Sequence, residues 1–334
     1  MNWILGIDLG GTGIKCGAFS LTGQLLASRL APTRDGDVSA GEPAFLDEIR
    51  AAMLSLTHDF GGVLPQRVGV AAPGLAARDG THVAFMPGRL RGLENLHWQQ
   101  ALGRREPVPV LNDAHAALLG EVWQGAARDR RDVILLTLGT GVGGAIICDG
   151  RLLRGHLGRA GHLGHMTVDH HGPPTIAGTP GGIEVAIGNA TVSERTGGRF
   201  TMTRDLAEAA QQGDAAAQAV WDESVHALAA HLAGLICALD PEIIVIGGGI
   251  AELDDFLFVP LRAALATWNG ARMDKASKSA RPHSATGPAP MEPPSTPFHP
   301  PPPSKTPVLS SRNHSHSTYS ISTDEFIVPC RPLS

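Results

Sequence analysis

Short apolar runs that end in glycine alternate along the chain with longer segments whose apolar residues recur at helical spacing. The first run, residues 3–8, leads into a glycine-rich turn and a second apolar run at 16–20, and this pattern predicts a β-hairpin. It is not the strand-to-helix unit of a dinucleotide-binding site, because a strand follows the turn. A third strand is predicted over 25–30.

The rest of the chain alternates between helix and strand. The pattern predicts a helix over 43–56, strands over 67–71 and 107–111, and a helix over 114–125. Asn112 and Asp113 immediately precede the last helix and can cap its N-terminus. The second half repeats the opening, with a strand over 132–138, a glycine turn and a strand over 145–148, then helices over 183–238 and a strand over 242–246. We therefore expect an α/β fold with a largely parallel sheet, built from two related halves that face each other across a cleft.

One helical stretch, 227–239, places leucines on a single face, at Leu228, Leu232, Leu235 and Leu239. Such a stripe can be an interaction surface for a partner. It is more typical of the face by which a helix packs on a sheet, and we predict that role.

The first glycine turn carries candidate chemistry. Within eight residues it combines a carboxylate, Asp8, the bare backbone of Gly10 and Gly11, the hydroxyl of Thr12 and the cation of Lys15. Backbone N–H groups in such a turn can bind phosphate oxygens, and a carboxylate can hold Mg²⁺ through water. The alternative is a tight hairpin that needs glycine only for its backbone conformation.

Two further glycine-rich segments strengthen the hypothesis that the glycine turns bind a ligand. One follows the strand 132–138, and the other ends the strand 242–246, where an open α/β sheet places its ligands. Together the three segments suit a nucleotide with several phosphates, but none has the spacing of a P-loop. The residues concerned are Gly139, Thr140, Gly141, Gly247, Gly248 and Gly249.

Composition excludes several classes of protein. The 27 Lys and Arg residues against 32 Asp and Glu give a formal net charge of -5 without long blocks of one sign, so nucleic acid is not an expected partner. No segment is long and apolar enough to span a bilayer, and no signal peptide is visible, so no membrane partner is expected. The four cysteines lie far apart and form no disulfide or zinc pattern, which fits a cytoplasmic protein.

The last part of the chain differs from the rest. Residues 281–334 contain 13 of the 25 prolines, and 277–322 show no apolar periodicity. Such a segment cannot bury enough apolar surface to offset the entropy of ordering it, so we expect a disordered tail over 276–334.

Five motifs in this order and spacing resemble the ROK family of sugar kinases and repressors. They are Asp8-Leu9-Gly10-Gly11-Thr12, Asn112-Asp113-Ala114, Leu136-Thr137-Leu138-Gly139-Thr140-Gly141-Val142-Gly143, Gly161-His162-Leu163-Gly164-His165 and Val245-Ile246-Gly247-Gly248-Gly249. The resemblance covers roughly residues 3–268. It implies two related actin-like ATPase (ribonuclease H-like) domains around a cleft. We predict an N-terminal domain over 1–112 and a C-terminal domain over 113–275 that lacks the usual family ending.

The resemblance also implies roles for single residues. Asp113 matches the catalytic base, whose alternative role is the N-cap of the following helix, and the turns at Gly10 and Gly139 match the segments that hold the ATP phosphates. The segment 247–249 matches the one that approaches the adenosine. Positions that match sugar-binding ones are Gly74, Asn95, Asn112, His162, His165 and Glu184.

Two departures from the family pattern bear on substrate and metal. Where the family has Gly-Glu-Ile-Gly-His, this chain has His162, and imidazole cannot accept two hydrogen bonds as a carboxylate can. The family's zinc loop retains Glu184 but none of its three cysteines, so we expect no structural zinc. A metal site could still be built from the histidines at 156–171, but only Asp169 among acidic residues is near, and we expect sugar-site and surface histidines instead.

The leading hypothesis is therefore a hexose kinase that uses ATP and Mg²⁺, with Asp113 as general base and the primary hydroxyl of glucose as acceptor. Fructose or an N-acetylhexosamine stays open because of His162. The alternatives are a catalytically impaired sugar-binding or regulatory ROK protein without a DNA-binding module, since the first strand begins at Trp3, and another actin-fold kinase such as an acetate-type one, which the Gly161–His165 segment disfavours. The family is often dimeric, so a homodimer is one expectation.

Overall fold

Two five-stranded sheets form the framework of the chain. The computed structural model describes residues 2–268 and, by backbone alone, 327–329. The strands are β1 (Trp3–Leu9), β2 (Gly13–Ser20), β3 (Leu25–Pro32), β4 (Val38–Ser39), β5 (Glu42–Pro43), β6 (Arg67–Ala72), β7 (Leu75–Ala76), β8 (Val83–Phe85), β9 (Val110–Asn112), β10 (Val133–Leu138), β11 (Val142–Cys148), β12 (Arg151–Leu152), β13 (Ile243–Gly247) and β14 (Ile327–Pro329). The helices are α1 (Ala44–Asp59), α2 (Trp98–Ala101), α3 (Asp113–Gln124), α4 (Ile183–Ile187), α5 (Val192–Arg195), α6 (Thr203–Gln211), α7 (Ala215–Leu239) and α8 (Asp255–Trp268).

The two sheets have the same topology. Their strand orders are β3-β2-β1-β6-β9 and β12-β11-β10-β13-β14. In each sheet the first strand pairs antiparallel with the next strand of its hairpin and parallel with the strand that follows a crossover. The predicted hairpins and the predicted duplication are confirmed.

Some short strands differ from the predicted ones. The strand expected over 107–111 is confined to β9, because Pro107 and Pro109 have no N–H group to donate to a sheet. The two-residue hairpins β4–β5 and β7–β8 have too little periodicity to be predicted.

Helix α3 lies between the two sheets. Ala116 packs with Ala71 and Leu111 of the first sheet. Ala114 and Leu118, on another face of the helix, pack into a buried cluster with strands β10, β11 and β13 of the second sheet. Because both sheets contact one helix, the first residues of α3 are placed at the junction of the two halves.

Helix α7 supplies the core of the second half. Leu228, Leu232 and Leu235 are buried among the side chains of β10, β13 and α8, and Leu239 packs against the edge of the same cluster. The leucine stripe is thus the core face of the helix, as predicted.

Strand β14 comes from the segment expected to be disordered. Its residues 327–329 pair parallel with β13 in the register Ile244↔Ile327, and so supply the fifth strand of the second sheet, as β9 does in the first. The expectation for the remainder of 276–334 falls outside the described residues. Among the helices of the described part, none has the length and apolar character to cross a membrane.

Candidate active site

Strands β1, β6 and β9 end together at one edge of the first sheet. Asp8 lies opposite Ala71 in the parallel pair β1–β6, and Ala72 lies opposite Asn112 in the pair β6–β9. Since parallel strands place their carboxyl ends at the same edge, Asp8 and Asp113 converge there. The charge of Asp113 contributes to a raised pKa of Asp8.

The carboxylate of Asp8 is close to a cation as well as to a second carboxylate. Asp8 and Lys15 face each other across the β1–β2 hairpin. Burial, the largest effect, raises the pKa of Asp8 above its usual 3.8, while Lys15 lowers it and Asp113 raises it again. Lys15 itself is exposed, so its ammonium group is available to an anion in the cleft.

Thr33 donates two hydrogen bonds to the backbone of the first glycine turn. The Thr33 hydroxyl donates to the carbonyl of Gly10 at 2.7 Å, and the Thr33 amide donates to the carbonyl of Thr12 at 3.2 Å. The Gly10 amide closes the turn onto Gly13 at 2.9 Å. The carbonyls of Gly10 and Thr12 therefore already accept hydrogen bonds. The other polar groups of the turn, including the exposed Thr12 hydroxyl, can donate hydrogen bonds to an anion.

The second turn, between β10 and β11, is built the same way. The amide of Gly139 donates to the carbonyl of Gly141 at 3.0 Å, and the carbonyls of Gly139 and Thr140 accept from Asn189 and Ala190, both at 2.9 Å. A Cβ at position 141 would lie 2.9 Å from Oε2 of Glu184, so a larger residue there would displace this carboxylate. Glu184 thus lies directly against this turn.

The third segment, Gly247 to Gly249, lies beside the second turn. Gly247 is opposite Thr137 in the parallel pair β10–β13. Gly248 has φ +91, and a Cβ there would come within 2.3 Å of the carbonyl oxygen of Leu138, so only glycine fits. Gly249 is exposed, and a Cβ would meet nothing within 4 Å, which leaves an open surface for a ligand.

Asn112 caps α3, and Asp113 is the first helical residue. The Oδ1 atom of Asn112 accepts from the amides of Ala114 at 3.0 Å and His115 at 3.4 Å. Its Nδ2 atom donates to the carbonyl of Gly74 at 3.1 Å. The alternative role of Asp113 as the N-cap is therefore filled by its neighbour.

Asp113 is exposed to solvent, although protein atoms surround much of its carboxyl group. This burial is the largest effect on its pKa and raises it above the usual 3.8. The Ala114 amide, which donates to Oδ1 at 2.8 Å, and the side chain of Asn112 act in the opposite direction. A carboxylate with a raised pKa at a helix N-terminus can still ionise, and it takes up a proton more readily than an ordinary aspartate.

Two of the predicted sugar-site residues form a pair. Nδ1 of His165 lies 3.1 Å from Oε1 of Glu184, and both side chains are largely buried. His162 lies next to them, with its ring centroid 6.2 Å from that of His165. Burial and the neighbouring His165, His115 and Arg159 lower the pKa of His162, so its ring is neutral at pH 7. Within the described residues, the buried Nε2 of His162 has no hydrogen-bond partner.

Gly74 and Asn95 are two further residues of the predicted sugar site. Gly74 has φ +95 and is linked to the active-site edge through the Asn112 side chain. Asn95, with φ +58, is exposed at the end of the loop that follows β8, and its amide donates to the carbonyl of Val83 at 2.9 Å. No hydrogen bond among those of residues 2–268 joins its side chain to Asn112 or Asp113.

Two residues at the first turn, Thr33 and Arg89, were not predicted from the sequence. Thr33 holds the first turn although it is 23 residues from Gly10 in the chain, and Arg89 brings its guanidinium group over Gly11 from the loop between β8 and α2. Neither residue belongs to a recognisable motif. Only the pairing of β2 with β3 and the path of that loop bring them to the turn.

The loop that resembles a zinc site has Thr175, Ala177 and Gly182 at the three cysteine positions. Thr175 and Thr179 share a hydrogen bond of 2.8 Å between their hydroxyl oxygens, and Thr179 donates to the carbonyl of His165 at 2.8 Å. A Cβ at Gly182 would lie 2.4 Å from Cγ2 of Thr175. The donor set does not fit zinc, and the part of the chain that is described contains no group of three metal-ligating side chains.

Comparison with known proteins places these features in a family. The sequence pattern of the ROK family matches residues 4–286. A glucokinase from Thermotoga maritima is 34% identical over 279 residues, which cover 78% of this chain and 86% of that protein. An N-acetylmannosamine kinase from Escherichia coli O157:H7 is 31% identical over 257 residues, covering 76% and 85%.

A solved structure agrees with the sequence relatives. The ROK family glucokinase from Streptomyces griseus, in complex with glucose and AMPPNP, has a TM-score of 0.63 to this chain at 29% identity, with 80% of this chain and 89% of that one covered. The fold is the actin-like ATPase fold, duplicated in the two sheets. By its sequence, its fold and the arrangement of its glycine turns around Asp113, the chain belongs to the ROK family.

Proposed function

We propose that this protein phosphorylates the primary hydroxyl of a hexose with ATP, and that glucose is the substrate. The observation that carries the proposal is the place of Asp113 at the start of α3. It lies at the sheet edge where β1 leads into the first glycine turn, on a helix that packs against β10 and β11, the strands joined by the second turn. Phosphoryl transfer is catalysed mainly by positioning and by offsetting charge, which is what this arrangement supplies. The glucokinases among its relatives, one of them solved with glucose and AMPPNP, support the same activity.

In the proposed reaction, Asp113 accepts the proton of the sugar hydroxyl as the oxygen forms a bond to the γ-phosphorus. The bond between that phosphorus and the β,γ-bridging oxygen breaks, and ADP leaves with the electron pair. The raised pKa of Asp113 makes its ionised carboxylate a better proton acceptor than that of an ordinary aspartate. The proton is released to solvent after the sugar phosphate departs.

The residues of the two turns have separate tasks. Amides of the segments Gly10–Thr12 and Gly139–Gly141 bind the phosphates, and Lys15 offsets their charge. The exposed surface at Gly248 and Gly249 takes the adenosine. Asp8 is the residue that fits Mg²⁺, because its carboxylate faces the same space; magnesium supplies charge neutralisation on the phosphates when it is bound.

We propose that closure of a domain over 1–112 on one over 113–275 excludes water from the transfer. Helix α3 packs on both sheets and carries Asp113 at its first residue, so it can act as the common element of the two domains. Exclusion of water favours transfer to the sugar over hydrolysis of ATP.

His162 favours a second candidate substrate, N-acetylmannosamine, which is the substrate named for one of the relatives. A neutral imidazole donates or accepts a single hydrogen bond, whereas a carboxylate can accept from two neighbouring hydroxyls. The buried Nε2 of His162 lacks a partner in the described structure, and the carbonyl or N–H of an acetamido group would satisfy it.

The test is a coupled ADP-release assay on the full chain with glucose, mannose, fructose, N-acetylglucosamine and N-acetylmannosamine. A kcat/KM at least about tenfold higher for glucose than for the acetamido sugars supports the leading proposal, and the reverse order supports the second. ADP release that no sugar stimulates contradicts both.

A further inference from the structure

The loop between β8 and α2 carries an arginine to the first glycine turn. A Cβ built on Gly11 would come within 1.9 Å of Nη2 of Arg89 and 3.0 Å of its Cζ. The guanidinium group thus lies on the face of Gly11, over the backbone that the proposed function assigns to phosphate. Among residues 2–268, no other side chain approaches the position of a Gly11 Cβ this closely.

The position of Arg89 is fixed by the residues that follow it. Leu90 is 1% exposed and belongs to the core of the first half, although its φ of +51 is costly for a leucine. Leu93, fully buried, donates its amide to the carbonyl of Leu90 at 2.9 Å. Because the buried side chains of Leu90 and Leu93 hold the backbone in this conformation, the side chain of Arg89 is directed to the first glycine turn.

Arg89 has no anionic partner in the described part of the chain. The side chain is exposed, and no ion pair or hydrogen bond is found for it among residues 2–268. Its neighbour Arg91 is also exposed, and its backbone amide is tied to Asp35 at 3.2 Å. A guanidinium group held over bare amides, without a carboxylate to neutralise it, is an arrangement that binds a phosphate through two parallel hydrogen bonds.

We propose that Arg89 is a phosphate-contacting residue, whose guanidinium group binds the terminal phosphate of the nucleotide over the turn Gly10–Thr12. The inference rests on the proposed function, because it takes the turn as the site of the γ-phosphate. Asp113 lies at the same edge of the sheet, so the charge that develops on the transferred group is within the field of Arg89. The same loop ends at Asn95, so one segment connects the phosphate turn with the predicted sugar site.

The experiment measures the binding of AMPPNP and of ADP, with Mg²⁺, to the full chain and to the variants Arg89→Ala, Arg89→Lys and Arg91→Ala. Arg89→Ala is expected to weaken AMPPNP binding roughly 10- to 100-fold and ADP binding less than about threefold, because ADP lacks the terminal phosphate. Arg89→Lys recovers part of the loss, and Arg91→Ala, the matched control from the same loop, binds like the unaltered chain. Circular dichroism verifies that each variant is folded.

Equal AMPPNP affinity of Arg89→Ala and the unaltered chain overturns the inference. So does an equal loss of ADP and AMPPNP binding, or an equal loss in Arg91→Ala. If the unaltered chain binds AMPPNP through Arg89 but phosphorylates no sugar, the proposed function fails while the inference holds. If the unaltered chain binds no nucleotide, both fail.

Discussion

Asn112 caps the helix that Asp113 begins: Oδ1 of Asn112 accepts the amide of Ala114 at 3.0 Å, and Nδ2 donates to the carbonyl of Gly74 at 3.1 Å. The neighbouring carboxylate is therefore not needed as the N-cap and can face the cleft. One residue fixes the helix, the loop at Gly74 and the position of the proposed base.

This relationship predicts a separation of stability from activity at position 112. Asn112→Ala removes the cap and is expected to lower the free energy of unfolding by about 1 kcal/mol, measured by urea denaturation. Asn112→Asp keeps a capping oxygen and is expected to lose less stability. Its added charge next to Asp113 raises the pKa of that residue further, so the fall of kcat/KM on acidification is expected to begin at a higher pH than in the unaltered chain. Equal stability of Asn112→Ala and the unaltered chain would contradict the cap.

A second prediction concerns the raised pKa of Asp113. Replacement by Asn removes the proton acceptor, and we expect kcat to fall roughly 10²- to 10⁴-fold while sugar binding, measured by calorimetry, is retained. In the unaltered chain, kcat/KM falls on acidification at a pH above the usual 3.8 of an aspartate, because the base must be ionised. Full turnover by Asp113→Asn would exclude Asp113 as the base.

The same shift predicts the sign of a stability change. Because the pKa is higher in the folded chain than in the unfolded one, ionisation of Asp113 at pH 7 destabilises the fold, and this cost disappears as the pH falls through the folded pKa and reaches the unfolded one. Asp113→Asn is therefore expected to be more stable than the unaltered chain at pH 7, and the difference is expected to vanish below about pH 3.8. Thermal unfolding at several pH values measures it.

A third prediction tests substrate choice at His162. The variant His162→Glu provides a side chain that accepts two hydrogen bonds, so kcat/KM for glucose is expected to rise relative to that for N-acetylmannosamine by roughly 10-fold or more. The control is His156→Glu, since His156 is exposed and outside the His165–Glu184 pair. The same glucose-to-acetamido ratio in His162→Glu and in the unaltered chain would show that His162 does not contact the 2-substituent.

A fourth prediction concerns the loop that has lost its thiolates. Thr179→Val removes the bonds to Thr175 and to the carbonyl of His165, so we expect the KM for the sugar to rise several-fold with little change in the KM for ATP. Thr179→Ser keeps the hydroxyl and serves as the matched control. A zinc-selective chelator, added with Mg²⁺ in excess, is expected to leave the rate unchanged. A chelator-sensitive rate would show that a metal holds this loop after all.

More of the fold than of the site could be predicted from the sequence. The two glycine-turned hairpins and the leucine stripe of α7 follow from local apolar patterns, and both were predicted. Strand β14 could not be predicted, because a three-residue strand in a proline-rich segment has no recognisable apolar pattern and forms only by pairing with β13. In the site, the motif residues were identified one by one, but the contact of Glu184 with Gly141 joins positions more than 40 apart.

The amino-acid sequence by itself determined the duplicated hairpins, the glycine turns and the family, since each depends on residues close together in the chain. Only the tertiary structure decided which of Asn112 and Asp113 caps α3, that Thr175 and Thr179 hydrogen-bond within the loop that lacks the thiolates, and that Arg89 lies over Gly11. Those outcomes depend on hydrogen bonds and close contacts between distant segments, and the packing of Leu90 and Leu93 in the core sets the last of them.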